Sequence, residues 1–422
     1  MKKNFGICFV VFVVWTNGAS TTLSSDHRAE SCKSSEIVSM QQQSKSLVII
    51  GAGLSGLVCA KKILELWNRQ GSGNLSVKIV DARDRVGGRL LASSSGIDLG
   101  AAWSWPEHDV ELQALASELG VKLEQQFSEG MALSQASDGR IGKVGQNIGP
   151  SGPGSTRFKG GAAIIATELQ NFLQSRNSGS GTLTFRLNTH ISRIEVQENA
   201  DQPILVEGKQ TSPTGTVPYS DRADAVVLAL PPKLIAAAIT FSPPLRPDKR
   251  DAMAATPTWM ANTGKAVFVY PDRFWAAAGL SGTAFSDRGP LRQVWDSSAP
   301  PGLYALAGFV FDDDLEHLAS EQAARAALLP QLAALFGPRA AEPARVEVKS
   351  WRHDPMTGRP EPGGAARGGA LQFGHPLVRE PHGGGRVVFA GTETAPGENG
   401  HLNGAVIAGM RAAGEALRAL SQ

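Results

Sequence analysis

Cysteine is scarce in this chain of 422 residues. Cys8, Cys32 and Cys59 are too few and too scattered for a disulfide framework or a cysteine-based metal site. Charge of one sign is missing as well. Lys plus Arg number 41 and Asp plus Glu 39, a formal net charge of +2, whereas proteins that grip nucleic acid concentrate basic charge, so no nucleic-acid partner is expected. Tyrosine occurs three times, and no fixed-period repeat is present. Long apolar runs are absent too. The longest, residues 5–15, is about half of the roughly 20 residues a bilayer span requires. What remains is 42% hydrophobic and 19% charged, a balance that fits a globular protein with a sizeable core and excludes a disordered or collagen-like chain.

The beginning of the chain is set apart from the rest. Lys2 and Lys3 precede the 5–15 run, and Gly18, Ala19 and Ser20 follow it, the pattern of a cleavable secretory signal over residues 1–20; a buried hydrophobic helix or signal anchor is the competing reading. Residues 21–45, rich in Ser and Gln, read as a flexible tether, so the folded part is expected to start near Ser46. These features predict a secreted or secretory-lumen protein that is soluble, with no stable membrane span after signal removal. The chain also ends at Gln422, just after its last expected helix, without an apolar tail.

The strongest local signal is SLVIIGAGLSGLVCAKKILELW. A β-branched run at 47–50 meets Gly51, Gly53 and Gly56, with Ser55 in the same turn, and helical apolar spacing follows. In a strand–turn–helix unit Gly51 permits the turn, Gly53 lets backbone approach a pyrophosphate, and Gly56 lets helix pack on strand. The helix N-terminus then offers N–H donors and the positive end of its dipole to phosphates. A second strand at 77–80 ends at Asp81, placed to accept from a ribose hydroxyl. Asp81 follows Gly56 by 25 residues, slightly more than usual, and the turn GSGN at 71–74 accommodates the surplus. Next comes DARDRVGGRL at 81–90, where Arg83, Arg85 and Arg89 carry donors suited to phosphate oxygens and Gly87 and Gly88 permit close backbone approach.

An acid, an arginine and RVGGR after a GAGLSGL turn resemble the flavin-containing amine oxidase family, which includes monoamine oxidases, polyamine oxidases and L-amino-acid oxidases. The resemblance extends over nearly the whole chain after residue 45. It covers GIDLGAAWSW at 96–105, with Asp98, Leu99, Gly100 and Trp103 near the flavin, and KGGAAIIATEL at 159–169. It continues through THISRIEV at 189–196, whose Ile191 resembles a backbone contact to adenine, and AVVLALPP at 225–232. The final segment, 386–417, resembles the family's last flavin-binding strand, turn and helix. By that resemblance Gly391 and Glu393 approach the ribityl or pyrophosphate part, and a helix beginning near Leu402 aims its positive end at the flavin.

The resemblance implies noncovalent FAD, since the stretch 357–369 that would carry a cysteine linkage has none. It implies that Lys265, in ANTGKAVFVY at 261–270, holds a water at flavin N5. From local pattern alone, Lys265, Val267 and Val269 share one strand face, and a solvent-facing lysine fits equally. Trp351, followed by Asp354 and Pro355, resembles the tryptophan that walls the flavin; a core tryptophan is the alternative. The substrate side matches less well. Amine-selective members face the flavin with two aromatic rings, whereas His401 occupies one such position here and 357–369 contains no aromatic residue. His401 is a candidate proton carrier, a polarising group or a filler.

The expected fold is therefore α/β: a Rossmann-like FAD-binding domain, discontinuous in sequence over 46–104, 158–238 and 386–422, with an α+β substrate-binding domain of the amine oxidase type from 105–157 and 239–385. The expected reaction is oxidation of the carbon next to an amine nitrogen, in a small-molecule amine or amino acid, with molecular oxygen reduced to hydrogen peroxide. A flavin desaturase or isomerase of an apolar substrate, or a catalytically silent flavin-binding protein, is the alternative.

Overall fold

The β-branched run ahead of the glycine turn forms the strand Lys45–Ile50 at the centre of a five-stranded sheet. Its order is Val387–Phe389, Ala225–Leu228, Lys45–Ile50, Leu75–Val80 and Gly181–Arg186, with every pairing parallel. Register sets Ile49 between Ile79 and Val227. A parallel sheet covered on both faces needs apolar side chains at successive positions. Leu47 and Ile49 accordingly pack with residues of the helices Leu54–Gln70, Ala163–Ser175 and Leu402–Leu420, while Val48 and Ile50 pack with Ile191, Ile194, Val206 and Phe241. This computed structural model describes residues 44–70, 73–152, 154–175, 181–199, 201–299, 301–357 and 373–422. The expected signal, nearly all of the expected tether and most of the 357–369 stretch fall outside the described residues.

A second, seven-stranded sheet carries the strand Thr263–Tyr270 between Arg345–Ser350 and Tyr304–Phe311. Its alternation is strict. Ala266, Phe268 and Tyr270 enter the core beneath the helix Glu321–Phe336, and Val267 and Val269 pack on the other face with Ile97, Leu99, Trp295, Ala305 and Ala307. Lys265 belongs to that second face, which the 97–105 segment covers, so this lysine is buried rather than turned to solvent. Among the described residues no helix is long and apolar enough to cross a membrane.

Candidate active site

The two sheets flank a cavity of about 450 Å³ whose walls begin at the glycine turn. Gly51 has φ +108°, and a Cβ there would lie 2.5 Å from the Ala229 carbonyl oxygen. A Cβ on Gly56 would lie 1.9 Å from the Gly51 oxygen, so only glycine lets the helix Leu54–Gln70 seat against the turn. Gly53 differs from both. No atom lies within 4 Å of where its Cβ would be, and the open space is the cavity itself. Ser55 and Leu54 line it with the helix N-terminus, an arrangement suited to an anionic group.

Asp81 stands at the end of the second strand, 6% exposed. Its Oδ2 accepts from the Ala52 N–H at 2.7 Å and its Oδ1 from the Arg83 N–H at 2.8 Å, which fixes the carboxylate at the cavity wall. The arginines that follow are already engaged by protein oxygens. Arg85 donates to the carbonyls of Val86, Gly88 and Leu90 and so shapes the double-glycine loop. Arg83 pairs with Asp354 at 2.7 Å and donates to Thr357. Arg89 forms a two-pronged pair with Glu393 at 2.8 and 3.2 Å and donates to the Trp259 carbonyl. Arg83 and Arg89 still line the cavity, as do Gly88, Gly391 and Leu402, the first residue of the last helix.

Three residues expected at the cofactor do not line this cavity. Gly56 acts beneath it through packing. Ile191 is 5% exposed and its side chain joins the apolar cluster under the sheet, which leaves its backbone as the group the expected adenine contact would use. Glu393 is fully buried, and its carboxylate is taken by Arg89 and by the Trp259 N–H at 3.3 Å; it braces the wall that Arg89, Trp259 and Thr392 form.

Lys265 is 2% exposed and lines the cavity. Its Nζ donates to the Gly100 carbonyl at 2.6 Å and sits 5.7, 5.3 and 5.5 Å from the ring centres of Trp103, Trp295 and Phe309. Burial lowers its pKa to about 8; the Asp98 charge opposes that shift and the Arg157 charge adds to it. Gly100 is required beneath it, since a Cβ there would lie 1.9 Å from the Arg89 oxygen. Trp351 is also buried and lines the cavity, its indole donating to the Leu99 carbonyl at 3.1 Å. Cys59 is fully buried within the helix Leu54–Gln70, away from the cavity, and its thiol is pushed up to about 12 by burial.

His401 caps the last helix, its side chain 40% exposed, with Nδ1 3.5 Å from Glu398 Oε2. Its ring stands 5.1 Å from Trp259, edge to face, and 6.0 Å from Trp105. Both tryptophans line the cavity, together with Phe309 and Phe311. None of these four stood out in the sequence, although Trp105 follows Trp103 at the two-residue spacing of a strand. Trp105 is held by its indole bond to the Ser151 carbonyl at 2.9 Å, and Gln293 holds the adjacent Pro150 carbonyl. Aromatic walls thus come from tryptophan and phenylalanine where tyrosine is scarce.

These residues fit FAD. The open position at Gly53 and the fixed acid at Asp81 suit a diphosphate and a ribose, and the slot runs on to Trp351, Lys265 and the start of the last helix. Comparison with known proteins agrees. The sequence profile described as "Flavin containing amine oxidoreductase" matches residues 54–144 and 138–417. The chain is 26% identical to the flavin-containing amine oxidase B of Cavia porcellus, over 89% of this chain and 86% of that one. Cyclohexylamine oxidase from Brevibacterium oxydans IH-35A superposes with a TM-score of 0.72 at 22% identity, covering 90% of this chain and all of that one (100%). Wild-type putrescine oxidase bound to putrescine gives 0.69 at 21%, covering 88% and 98%. Because the profile spans nearly the whole described fold, this chain belongs to the flavin-containing amine oxidoreductase family and is an FAD-dependent, amine oxidase-like oxidoreductase.

Proposed function

We propose that the cavity holds FAD noncovalently, with its diphosphate at Gly51, Gly53, Ser55 and Gly88, its ribose at Asp81, and its ring system between Trp103, Trp351, Gly391 and the helix that starts at Leu402. In the same reading the FAD-binding part comprises 46–104, 158–238 and 386–422, and the substrate part 105–157 and 239–385. Bound FAD supplies the acceptor for a hydride from the carbon next to an amine nitrogen, and oxygen then takes the electrons to give hydrogen peroxide. The chain's own residues do the rest.

Trp105, Trp259, Phe309 and Phe311 strip water from an entering amine and orient its carbon skeleton, and their π faces tolerate the nitrogen in its cationic form. His401, in ring contact with Trp105 and Trp259, is the one ionisable ring on that wall among the described residues, and in this reading it carries a proton as the amine enters or the product leaves. Lys265, with a pKa of about 8, holds its proton loosely enough to exchange it near neutral pH. The resulting imine hydrolyses in water to a carbonyl compound and an amine or ammonia. The observation that carries the proposal is the shared wall: a buried lysine in an aromatic box and a dinucleotide-type glycine turn open onto one cavity. Residues 1–20 would direct the chain into the secretory pathway.

The test is a visible spectrum of the purified protein, then anaerobic mixing with monoamines, polyamines and amino acids. Bleaching of the flavin by one class, with peroxide formed on admitting air, is the expected result. A bound yellow flavin that no nitrogen compound bleaches would overturn the proposed reaction.

A further inference from the structure

Near Lys265, among residues that do not line the cavity, lies a buried polar cluster that the reaction described above does not use. Asp98 is 1% exposed; its Oδ1 accepts from the Ala162 N–H at 2.8 Å, and its Oδ2 has no hydrogen-bond partner. Arg157 is 5% exposed; its Nη1 donates to the Ser298 carbonyl at 3.0 Å, and its Nε has no partner. Trp295, fully buried beside Lys265, has an unpartnered indole N–H. One acceptor and two donors, each buried and unpartnered on a residue that acts on or contacts Lys265, are groups of the kind that buried water satisfies, since such water makes two to four hydrogen bonds to groups otherwise unpaired.

The sequence ties this cluster to the lysine twice. Asp98 begins the turn whose Gly100 carbonyl accepts from Lys265 Nζ, and Arg157 pairs across the strands with Trp103, one of the three rings around that ammonium. We propose that Asp98 is a positioning residue for Lys265, joined to it through buried water that Arg157 and the Trp295 indole also hold, so that this cluster governs the proton on the lysine. The inference rests on the reading that Lys265 serves the oxidation. The charges that act on Lys265 agree with it, Asp98 favouring the ammonium and Arg157 opposing it.

Other charged groups nearby are occupied elsewhere. Lys349, set opposite Lys265 by strand register, is paired to Asp354 at 2.7 Å, and Asp296, next to Trp295, is paired to Arg273 at 3.0 Å. The opposite face of the strand meets Leu315 and Leu318 at Gly264.

The experiment uses FAD-loaded protein with Asp98→Asn and Arg157→Gln, each alone and combined with Lys265→Met. Melting temperature is followed from pH 6 to 11, and flavin bleaching by the active amine is followed over the same range. Asp98→Asn keeps the shape and the Ala162 bond, and should move the inflection that depends on Lys265 down by about one pH unit, the order of effect of a nearby opposite charge. Arg157→Gln should move it up. Burial raises the Asp98 pKa and the Lys265 and Arg157 charges oppose that rise, so the Lys265→Met background is read for the lysine inflection alone, which should be absent from it whatever stands at 98 or 157. An inflection that stays in place in both single variants overturns the proposal, as does one that survives at the same pH with Met at 265. Should no amine bleach the flavin, the reading of the reaction fails while the melting curves still decide the link between Asp98 and Lys265.

Discussion

Gly53→Val separates cofactor binding from folding in a way that few substitutions can. Gly53 has no protein atom within 4 Å of its missing Cβ and lies outside the left-handed region, so the Cβ of a valine meets no protein neighbour and no left-handed strain. Restricting the unfolded chain at a compatible position is worth about 0.4–1 kcal/mol in favour of the fold, so the apoprotein should melt at the wild-type temperature or slightly above. The side chain instead projects into the cavity, where the diphosphate would approach the helix N-terminus. Losing two charge-assisted N–H bonds at about 1.5–3 kcal/mol each removes about 3–6 kcal/mol, which weakens FAD binding by about 10²- to 10⁴-fold.

The assay is calorimetric titration of apoprotein with FAD, with melting of the same samples. Gly56→Val is the control with the opposite signature. Its Cβ would lie 1.9 Å from the Gly51 oxygen, so the variant should lose stability and flavin together. Wild-type FAD affinity in Gly53→Val would refute the placement of the diphosphate. A collapse of the apoprotein like that of Gly56→Val would refute the argument from open space.

Lys265→Met should leave FAD content nearly unchanged while slowing flavin reduction or reoxidation, and should erase one feature of the stability curve. With a folded pKa of about 8 against 10.5 unfolded, the folded wild type binds fewer protons between those values. Its stability therefore rises with pH across that window by up to about 3 kcal/mol relative to the variant, and the penalty is fully present below pH 8. Melting of both proteins from pH 7 to 11 checks this; parallel curves would contradict it. Gly400→Ala places a Cβ 2.5 Å from Trp259 Cγ at a residue with φ +82°, so the indole must move. KM should rise several-fold with FAD content intact, at a stability cost of about 1–2 kcal/mol; an unchanged KM would remove Trp259 from the substrate wall. Glu393→Gln removes the buried partner of Arg89 and should cost about 3 kcal/mol of stability, with weaker flavin retention, both read by melting with and without added FAD.

What the sequence discloses about this molecule follows from how local the physics is. The glycine turn is legible because each glycine answers a backbone demand met within a few residues or at one neighbouring strand: a positive φ at Gly51, a close approach at Gly56, an open side at Gly53. The parallel sheet is legible because burial on both faces leaves runs such as LVII and VVL. The partners of Arg83 and Arg89 are not, since a guanidinium offers the same fork to a phosphate as to a carboxylate. Asp354 and Glu393 lie 271 and 304 residues away from their arginines, with no local pattern linking them.

Lys265 shows where that boundary falls and why it matters for the chemistry. Strand alternation determines that Lys265 and Val267 share a face, but not what covers it, and the covering segment comes from residues 97–105, more than a hundred and fifty positions earlier. That cover converts an ordinary lysine into a buried one whose proton is labile near neutral pH, and it delivers Gly100 and Trp103 as its partners. The same rule explains the aromatic wall. Trp105, Trp259 and the strand pair Phe309 and Phe311 come from three separate stretches, each unremarkable on its own, and meet only where the two sheets flank the cavity. In the proposed reading, the half of the cavity assigned to FAD is built largely from backbone, which glycine spacing encodes, and the half assigned to the amine from side chains brought together by topology, which spacing does not. Substitutions in the first half should therefore act mainly on FAD retention, and those in the second mainly on which amines are turned over.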